Sequence, residues 1–389
     1  MNRLYETHNR IVQQTKTRIK RYLYHQINWD NRLIAITGQR GTGKTTLLLQ
    51  RIKEAKNKTE SLYISADSLF IYKLTLYEIA LSFNNNGGKY LFIDEVHKYK
   101  NWSGEIKHIY DVIPSLNIVF TGSSILDIMK GYGDLSRRAV HYKLNGLSFR
   151  EYLLFETGIT YPTFNLTDIV LHKVQLELDT PLYHFNNYLK KGYYPFYKEN
   201  DFELRLMNVI NTVLEVDLVQ HLDLKPSTIA KLKKLLQIIS ESVPFKPNVS
   251  KIATLTEISR SQILDYLNYL QRAGLIMMFQ LDTKGIQGLG KPEKIYLNNT
   301  NLSMTLAGLE NSNKGNNRET FFASHLKTIA NITIPKKGDF SIDNITFEVG
   351  GKSKTKKQIL HIKNSFLVKD DIEYGYQNTI PLWHFGFLY

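Results

Sequence analysis

Residues 33–53 read LIAITGQRGTGKTTLLLQRIK, and the order of pieces in this stretch decides the fold. Leu33-Ile34-Ala35-Ile36-Thr37 is an apolar run of strand length. Gly38, Gln39, Arg40, Gly41, Thr42, Gly43, Lys44 and Thr45 then follow the spacing G-x-x-x-x-G-K-T of a phosphate-cradling loop. The glycines let the backbone turn tightly and aim N–H groups at an anion. Thr46 to Lys53 suits a helix whose N-terminus faces the same phosphates. A chance glycine-rich turn is the alternative, but strand, loop and helix stand in the required order. Lys44 is expected on the β- and γ-phosphates and Thr45 on Mg²⁺, with Gly38 to Thr46 as the nucleotide cradle.

A second constellation, Phe92-Ile93-Asp94-Glu95, ends another buried-strand run. A nucleotide hydrolase needs an acid at the tip of a strand next to the loop strand, and Asp94 takes that role toward Mg²⁺. Glu95 is the expected base, placed to polarise the attacking water. At the end of Asn117-Ile118-Val119-Phe120-Thr121-Gly122-Ser123-Ser124, Thr121 and Ser123 can orient that water and sense the γ-phosphate. An ordinary helix cap at Ser123 or Ser124 reads the same residues equally well. Arg138, within Ser136-Arg137-Arg138, is either a surface arginine or a stabiliser of transition-state charge reaching across a subunit boundary.

Around these motifs, strand-like and helical runs alternate from 31 to 145, which predicts an α/β fold: a parallel sheet covered by helices on both faces. The chain of 389 residues has room for two to four domains. We read 1–30 as an N-terminal helical segment, 31–145 as the ATPase core and 146–215 as a helical lid. Residues 216–300 give helix, short helix, helix and a strand pair, a winged-helix pattern with Arg260 and Gln262 opening its recognition helix. Residues 301–389 form a small α/β domain ending in an apolar tail from Ile380 to Tyr389. Arg10, Lys16, Arg18, Lys20 and Arg21 form an acid-free basic run, read as a solvated helix face.

Net charge is +14, which makes a polyanion a candidate partner. Residues 336–369 hold eight lysines against three acids, a net +5. Without cysteine there is neither a disulfide nor a thiolate metal site. His97 and His108 read as structural, and the histidines form no metal pair. No apolar run reaches the ~18 residues that span a bilayer, and the N-terminus lacks a secretory core. A cytoplasmic protein with no membrane partner is expected.

Phe92-Ile93-Asp94-Glu95-Val96-His97-Lys98-Tyr99, Trp102, Thr121-Gly122-Ser123-Ser124, Arg138-Ala139 and Leu147-Ser148-Phe149-Arg150-Glu151-Tyr152-Leu153 together resemble the prokaryotic AAA+ ATPases that carry a poorly characterised C-terminal domain. Phe185 to Leu189, Gly192-Tyr193-Tyr194-Pro195 and Lys291 to Leu297 extend the resemblance over essentially the whole chain. It implies an AAA+ core, a helical lid, a winged helix and a restriction-nuclease-like C-terminal fold. It places Arg138 at the arginine-finger position and implies ATP and Mg²⁺ as ligands, with a homo-oligomer as the assembly in which a finger acts. It leaves a lid sensor arginine unassigned. Nucleases of that kind use an Asp, then a strand bearing E-x-K, with Mg²⁺. Here Asp339 and Glu348 have Gly350 in the lysine position, and Lys352 stands two residues further on. Two residues move an ammonium ~7 Å along a strand, so a nuclease-like fold without cleavage is expected.

The resulting expectation is an ATPase that moves its winged-helix and nuclease-like half on or near DNA. Two rivals stand beside it: an ATP-dependent signalling switch with protein partners, and an ATP-gated Mg²⁺ nuclease.

Overall fold

The computed structural model describes residues 1–69, 71, 74–122, 135, 137–222, 224–241, 244–247, 249–282, 292–308 and 313–389. Ser123, Ser124, Ser136, the turn glycines 285, 288 and 290, and Lys291 lie outside the described residues. Two compact units divide the chain, Met1–Gly146 and Leu147–Tyr389.

The first unit opens with α1 (Asn2–Gln14) and the single turn α2 (Leu23–Gln26). Then follow β1 (Leu33–Thr37), α3 (Lys44–Lys53), β2 (Ser61–Ser65), α4 (Leu76–Asn85), β3 (Tyr90–Asp94), α5 (Trp102–Val112), β4 (Asn117–Gly122) and β5 (Val140–Lys143). The strands form a parallel sheet in the order β2-β3-β4-β1-β5. The expected neighbour relation is corrected here. β3, which ends in Asp94, is not next to β1; β4 lies between them.

Side chains alternate across a strand, and the sheet sorts its residues accordingly. Leu33, Ala35, Ile93, Ile118 and Phe120 join one core with Leu76, Ile79 and Phe83 of α4 and Ile106 and Ile109 of α5. Ile34, Ile36, Phe92 and Val119 face the other, with Leu47, Leu48 and Ile52 of α3 and Val12 of α1. Strands buried on both faces explain why these runs read as continuously apolar. α4 starts at Leu76 because Thr75 and Glu78 cap it reciprocally, Thr75 Oγ1 accepting from Glu78 N and Glu78 from Thr75 N.

The basic run is also corrected. α1 ends at Gln14, so residues 16–21 are not a helix face. Lys20 pairs with Glu54 at 2.7 Å, and Arg21 is buried.

The second unit begins with α6 (Phe149–Thr157), α7 (Leu166–Val170), α8 (Pro181–Lys191), α9 (Phe202–Thr212) and α10 (Leu218–Leu222). α11 (Pro226–Glu241), α12 (Val249–Thr256) and α13 (Arg260–Arg272) lead to an antiparallel pair, β6 (Ile276–Phe279) and β7 (Lys294–Leu297). Gly274, at φ 77°, takes the left-handed turn that releases the chain from α13. α14 (Thr300–Ala307) and α15 (Lys314–Leu326) precede a second sheet. Its strands β8 (Phe340–Ile342), β9 (Ile345–Gly350), β10 (Ser365–Lys369) and β11 (Thr379–Pro381) stand in the order β11-β10-β9-β8, with only the β8–β9 pair antiparallel. The C-terminal apolar tail resolves into β11 and a tight turn over Leu382–Phe387. Phe322 of α15 meets Phe347 of β9 and Phe385 of that turn at ring distances of 5.2 and 4.7 Å.

Candidate functional site

At the end of β1 the loop departs through Gly38, where close approach excludes any side chain. A Cβ there would lie 2.2 Å from the Leu144 carbonyl oxygen. Gly41 and Gly43 have φ of 81° and 93°, the region open to glycine without strain. Gly43 is the left-handed N-cap of α3, so the first N–H groups of a ten-residue helix open onto the loop. Lys44, 4% exposed, donates from Nζ to the carbonyls of Gly38 (3.0 Å) and Gln39 (2.8 Å) and so lies across the loop. Thr42 is fully buried, and its hydroxyl donates to Gln39 O at 2.8 Å, a bond that braces the loop from inside. Thr46 is exposed on the first turn of α3.

Beside the loop, Asp94 is 2% exposed at the tip of β3. Three hydroxyls converge on it. Thr45 Oγ1 donates to Oδ2 at 2.6 Å, Tyr63 Oη to Oδ2 at 3.0 Å, and Thr121 Oγ1 to Oδ1. Burial pushes the Asp94 pKa up, the nearby Glu95 adds to the rise, and the donors hold it back. A buried carboxylate touching a threonine hydroxyl is an all-oxygen donor set of the kind a hard cation such as Mg²⁺ takes. The residues present therefore fit a phosphate chain with one divalent ion.

Glu95 sits in the left-handed region at φ 51°. A non-glycine residue held there costs of order 1–3 kcal/mol, and such strain clusters at functional sites. Its N–H donates to Thr121 Oγ1 at 3.2 Å, and its carboxylate lies 3.5 Å from Nε2 of the buried His97. Thr121 thus bridges Asp94 and Glu95, as its position on the intervening β4 allows.

Of the residues expected from sequence, Lys44, Thr45, Asp94, Glu95 and Thr121 come together. Ser123 lies outside the described residues. Arg138 instead makes a fork with Asp111 of α5, Nε to Oδ1 and Nη2 to Oδ2 at 3.0 Å each. Two further residues escaped the sequence reading. Tyr63 is 6% exposed on β2, and its only signal was a hydroxyl inside an apolar strand. Arg21 donates to the carbonyls of Thr42, Asn145 (2.7 Å) and Gly146 (2.9 Å), tying the loop to the chain beyond β5.

In the second unit, Lys352 is exposed, and its carbonyl accepts from Lys369 Nζ at 2.9 Å. Lys354, not Lys352, reaches Glu348, with Nζ 2.6 Å from Oε1. Lys352 is thus away from Glu348, as its displaced position led us to expect, but the assumption of a continuing strand is corrected. The chain turns after Gly350 instead of continuing as a strand, so strand spacing did not apply.

Residues 30–153 match the family described as "AAA domain", and residues 183–313 match one described as "Domain of unknown function (DUF8612)". The uncharacterised protein MJ1637 of Methanocaldococcus jannaschii is 30% identical over 290 residues. That alignment covers 67% of this chain and 59% of the relative, so the chain spans well under two thirds of the relative's length. Among solved structures, the Walker-type ATPase of Pyrococcus abyssi is 13% identical at a TM-score of 0.43, over 75% of this chain and 98% of that one. AMPPCP-bound DnaA of Aquifex aeolicus is 16% identical at a TM-score of 0.28, over 67% and 86%. Both are loose overall likenesses. Among the described residues no helix is long and apolar enough to cross a membrane. The family match falls on the same residues as the phosphate loop and the buried acid, so residues 30–153 are similar to an AAA domain and carry its P-loop.

Proposed function

We propose that this domain binds Mg-ATP and hydrolyses it, and that hydrolysis drives movement of the second unit on or near DNA. The observation that carries the reading is the junction of Thr45, Asp94, Thr121 and Glu95. A loop that only bound phosphate would not require a strained glutamate whose N–H is fixed by the hydroxyl that also holds the buried acid. Gly38 to Thr46 would cradle the phosphates, Lys44 would neutralise them, and Thr45 and Asp94 would hold the metal. Mg²⁺, when bound, supplies charge neutralisation on the phosphate oxygens. Glu95 accepts the proton of the attacking water, and His97 fixes the direction of its carboxylate. Arg138, released from Asp111, would serve a neighbouring subunit in a homo-oligomer.

Support for DNA comes from the second unit. Arg260 and Gln262 are exposed at the start of α13, ahead of the β6–β7 pair, in the order a winged helix uses. Lys352 and Lys357 are exposed after β9 in a segment of net positive charge. We read residues 146–215 as the lid, 216–300 as the winged helix and 301–389 as the nuclease-like domain. The test is ATPase activity with and without duplex DNA at two salt concentrations. Stimulation by DNA that fades with salt is expected, with hydrolysis lost in Lys44→Ala and Glu95→Gln. Full-rate hydrolysis in either variant refutes the catalytic assignment. Hydrolysis indifferent to DNA at both salt concentrations refutes the partner.

A further inference from the structure

Three carboxylates of the second unit, which we read as nuclease-like, are answered by two lysines. Glu319 comes from α15, Asp339 precedes β8, and Glu348 lies on β9. Glu348 is fully buried, and its Oε2 has no hydrogen-bond partner among the described residues. Their charge is answered from within the chain. Lys294 at the start of β7 is 8% exposed, and its Nζ stands 3.1 Å from Asp339 Oδ1 and 3.6 Å from Glu319 Oε2. Both acids have a further hydrogen-bond donor, at the second oxygen of Asp339 and at the same oxygen of Glu319 that faces Lys294. Asp339 Oδ2 accepts the Val349 N–H at 3.0 Å, and Glu319 Oε2 accepts from Tyr296 Oη at 2.6 Å.

The second ammonium arrives by way of a glycine. A Cβ placed on Gly350 would lie 2.5–2.8 Å from Cγ, Cβ and Cδ of Lys354. The stem of Lys354 therefore runs through the space that a side chain at 350 would occupy, and ends 2.6 Å from Glu348 Oε1. A lysine missing from one position is supplied from four residues later. Among the described residues no three acidic or histidine side chains converge closely enough to share a metal ion.

We propose that this cluster is a cation site closed from within. Lys294 stands between Glu319 and Asp339 where a divalent ion would bind, and Lys354 replaces the lysine that Gly350 lacks. The site takes neither Mg²⁺ nor Mn²⁺, and its two ammonium groups hold β7 and the segment after β9 onto the three acids. Any DNA held by this unit is held without cleavage. The proposal does not depend on the nucleotide reading.

The experiment counts Mn²⁺ bound to nucleotide-free full-length protein from the loss of the free-ion EPR signal. Wild type and Asp339→Asn are expected to bind the same number of ions, because any ion held elsewhere, at Asp94 for instance, cancels in the comparison. Lys294→Met keeps the stem and removes the charge. It is expected to bind one ion more than wild type, and adding Asp339→Asn should abolish the gain. An extra ion in wild type that Asp339→Asn removes would overturn the proposal. So would a folded Lys294→Met protein that binds no more than wild type. If Lys294→Met does not fold, the comparison of wild type with Asp339→Asn decides alone.

Discussion

Replacing Arg21 with methionine tests whether a residue outside the motif holds the phosphate loop in shape. Arg21 is 5% exposed, and its guanidinium reaches three carbonyls, those of Thr42, Asn145 and Gly146. Hydrogen bonds from a charged donor contribute ~1.5–3 kcal/mol each. Burying the cation costs several kcal/mol in return, so the set nets much less than its sum. Methionine fills most of the volume but leaves the carbonyls unpaired. Water can reach the Asn145 bond, which is only part-buried, and the other two lose ~1–3 kcal/mol apiece. A net loss of about 2–4 kcal/mol follows, or a fall in melting midpoint of about 5–15 °C for a unit of this size. The Thr42 carbonyl is then free to rotate, and a loop that must be reordered on binding loses affinity. About 1.4 kcal/mol of that cost is a tenfold weaker Kd. The assay pairs thermal unfolding with titration of a fluorescent ATP analogue. Arg21→Lys should recover little, because an ammonium lacks the planar fork that spans separated acceptors. An Arg21→Met protein with wild-type midpoint and wild-type nucleotide affinity would refute the reasoning.

Three further outcomes are expected. Tyr63→Phe removes one of three donors to Asp94, which should raise the Asp94 pKa further and lift the Mg²⁺ concentration for half-maximal hydrolysis about tenfold, one lost charged hydrogen bond; an unchanged Mg²⁺ curve contradicts this. Gly350→Ala should push Lys354 off Glu348 and destabilise the protein by ~3 kcal/mol in urea unfolding, the scale of a broken buried pair; a Gly350→Lys, Lys354→Ala double variant should recover part of it, and parity of Gly350→Ala with wild type counts against the threaded lysine. Burial depresses His325 from 6.5 to about 4, so the unfolded chain takes up its proton first on acidification. Stability should therefore be intact above pH 6.5 and fall by about 3 kcal/mol in total toward pH 4, and His325→Gln should flatten that part of the urea-midpoint profile; parallel profiles exclude His325 as the source.

The loop and the buried acid were legible because their chemistry imposes contiguous spacing. Gly38, Gly43, Lys44 and Thr45 must sit at fixed offsets to surround a phosphate, and Asp94 must end an apolar strand. Alternation of strands and helices was legible for the same local reason. What could not be read depends on through-space meetings. Arg21 looked like one more member of a basic run, and only the fold brings the Asn145 and Gly146 carbonyls over it. Tyr63 looked like core until β2 paired with β3 and aimed its hydroxyl at Asp94. Lys352 was singled out by strand spacing, yet the chain leaves the strand at Gly350 and returns Lys354 to the same acid. Strand order was misjudged because the linear sequence does not say that β4 separates Asp94 from the loop strand.

That strand order has a consequence for how the molecule comes into being. Leu33 pairs with Ile118, and Ile34 pairs with both Val119 and Val140. The strand that carries the phosphate loop is the first to leave the ribosome, and both of its neighbours are the last of the sheet. Local pairing of β2 with β3 can form early, but β1 keeps two open edges until β4 and β5 emerge, and contacts of such long separation form slowly. An incomplete chain therefore holds an intact loop motif on an unpaired apolar strand, a surface prone to wrong partners. The strand that carries the phosphate loop thus gains its first sheet partner only when β4 has been made, late in the synthesis of the first unit.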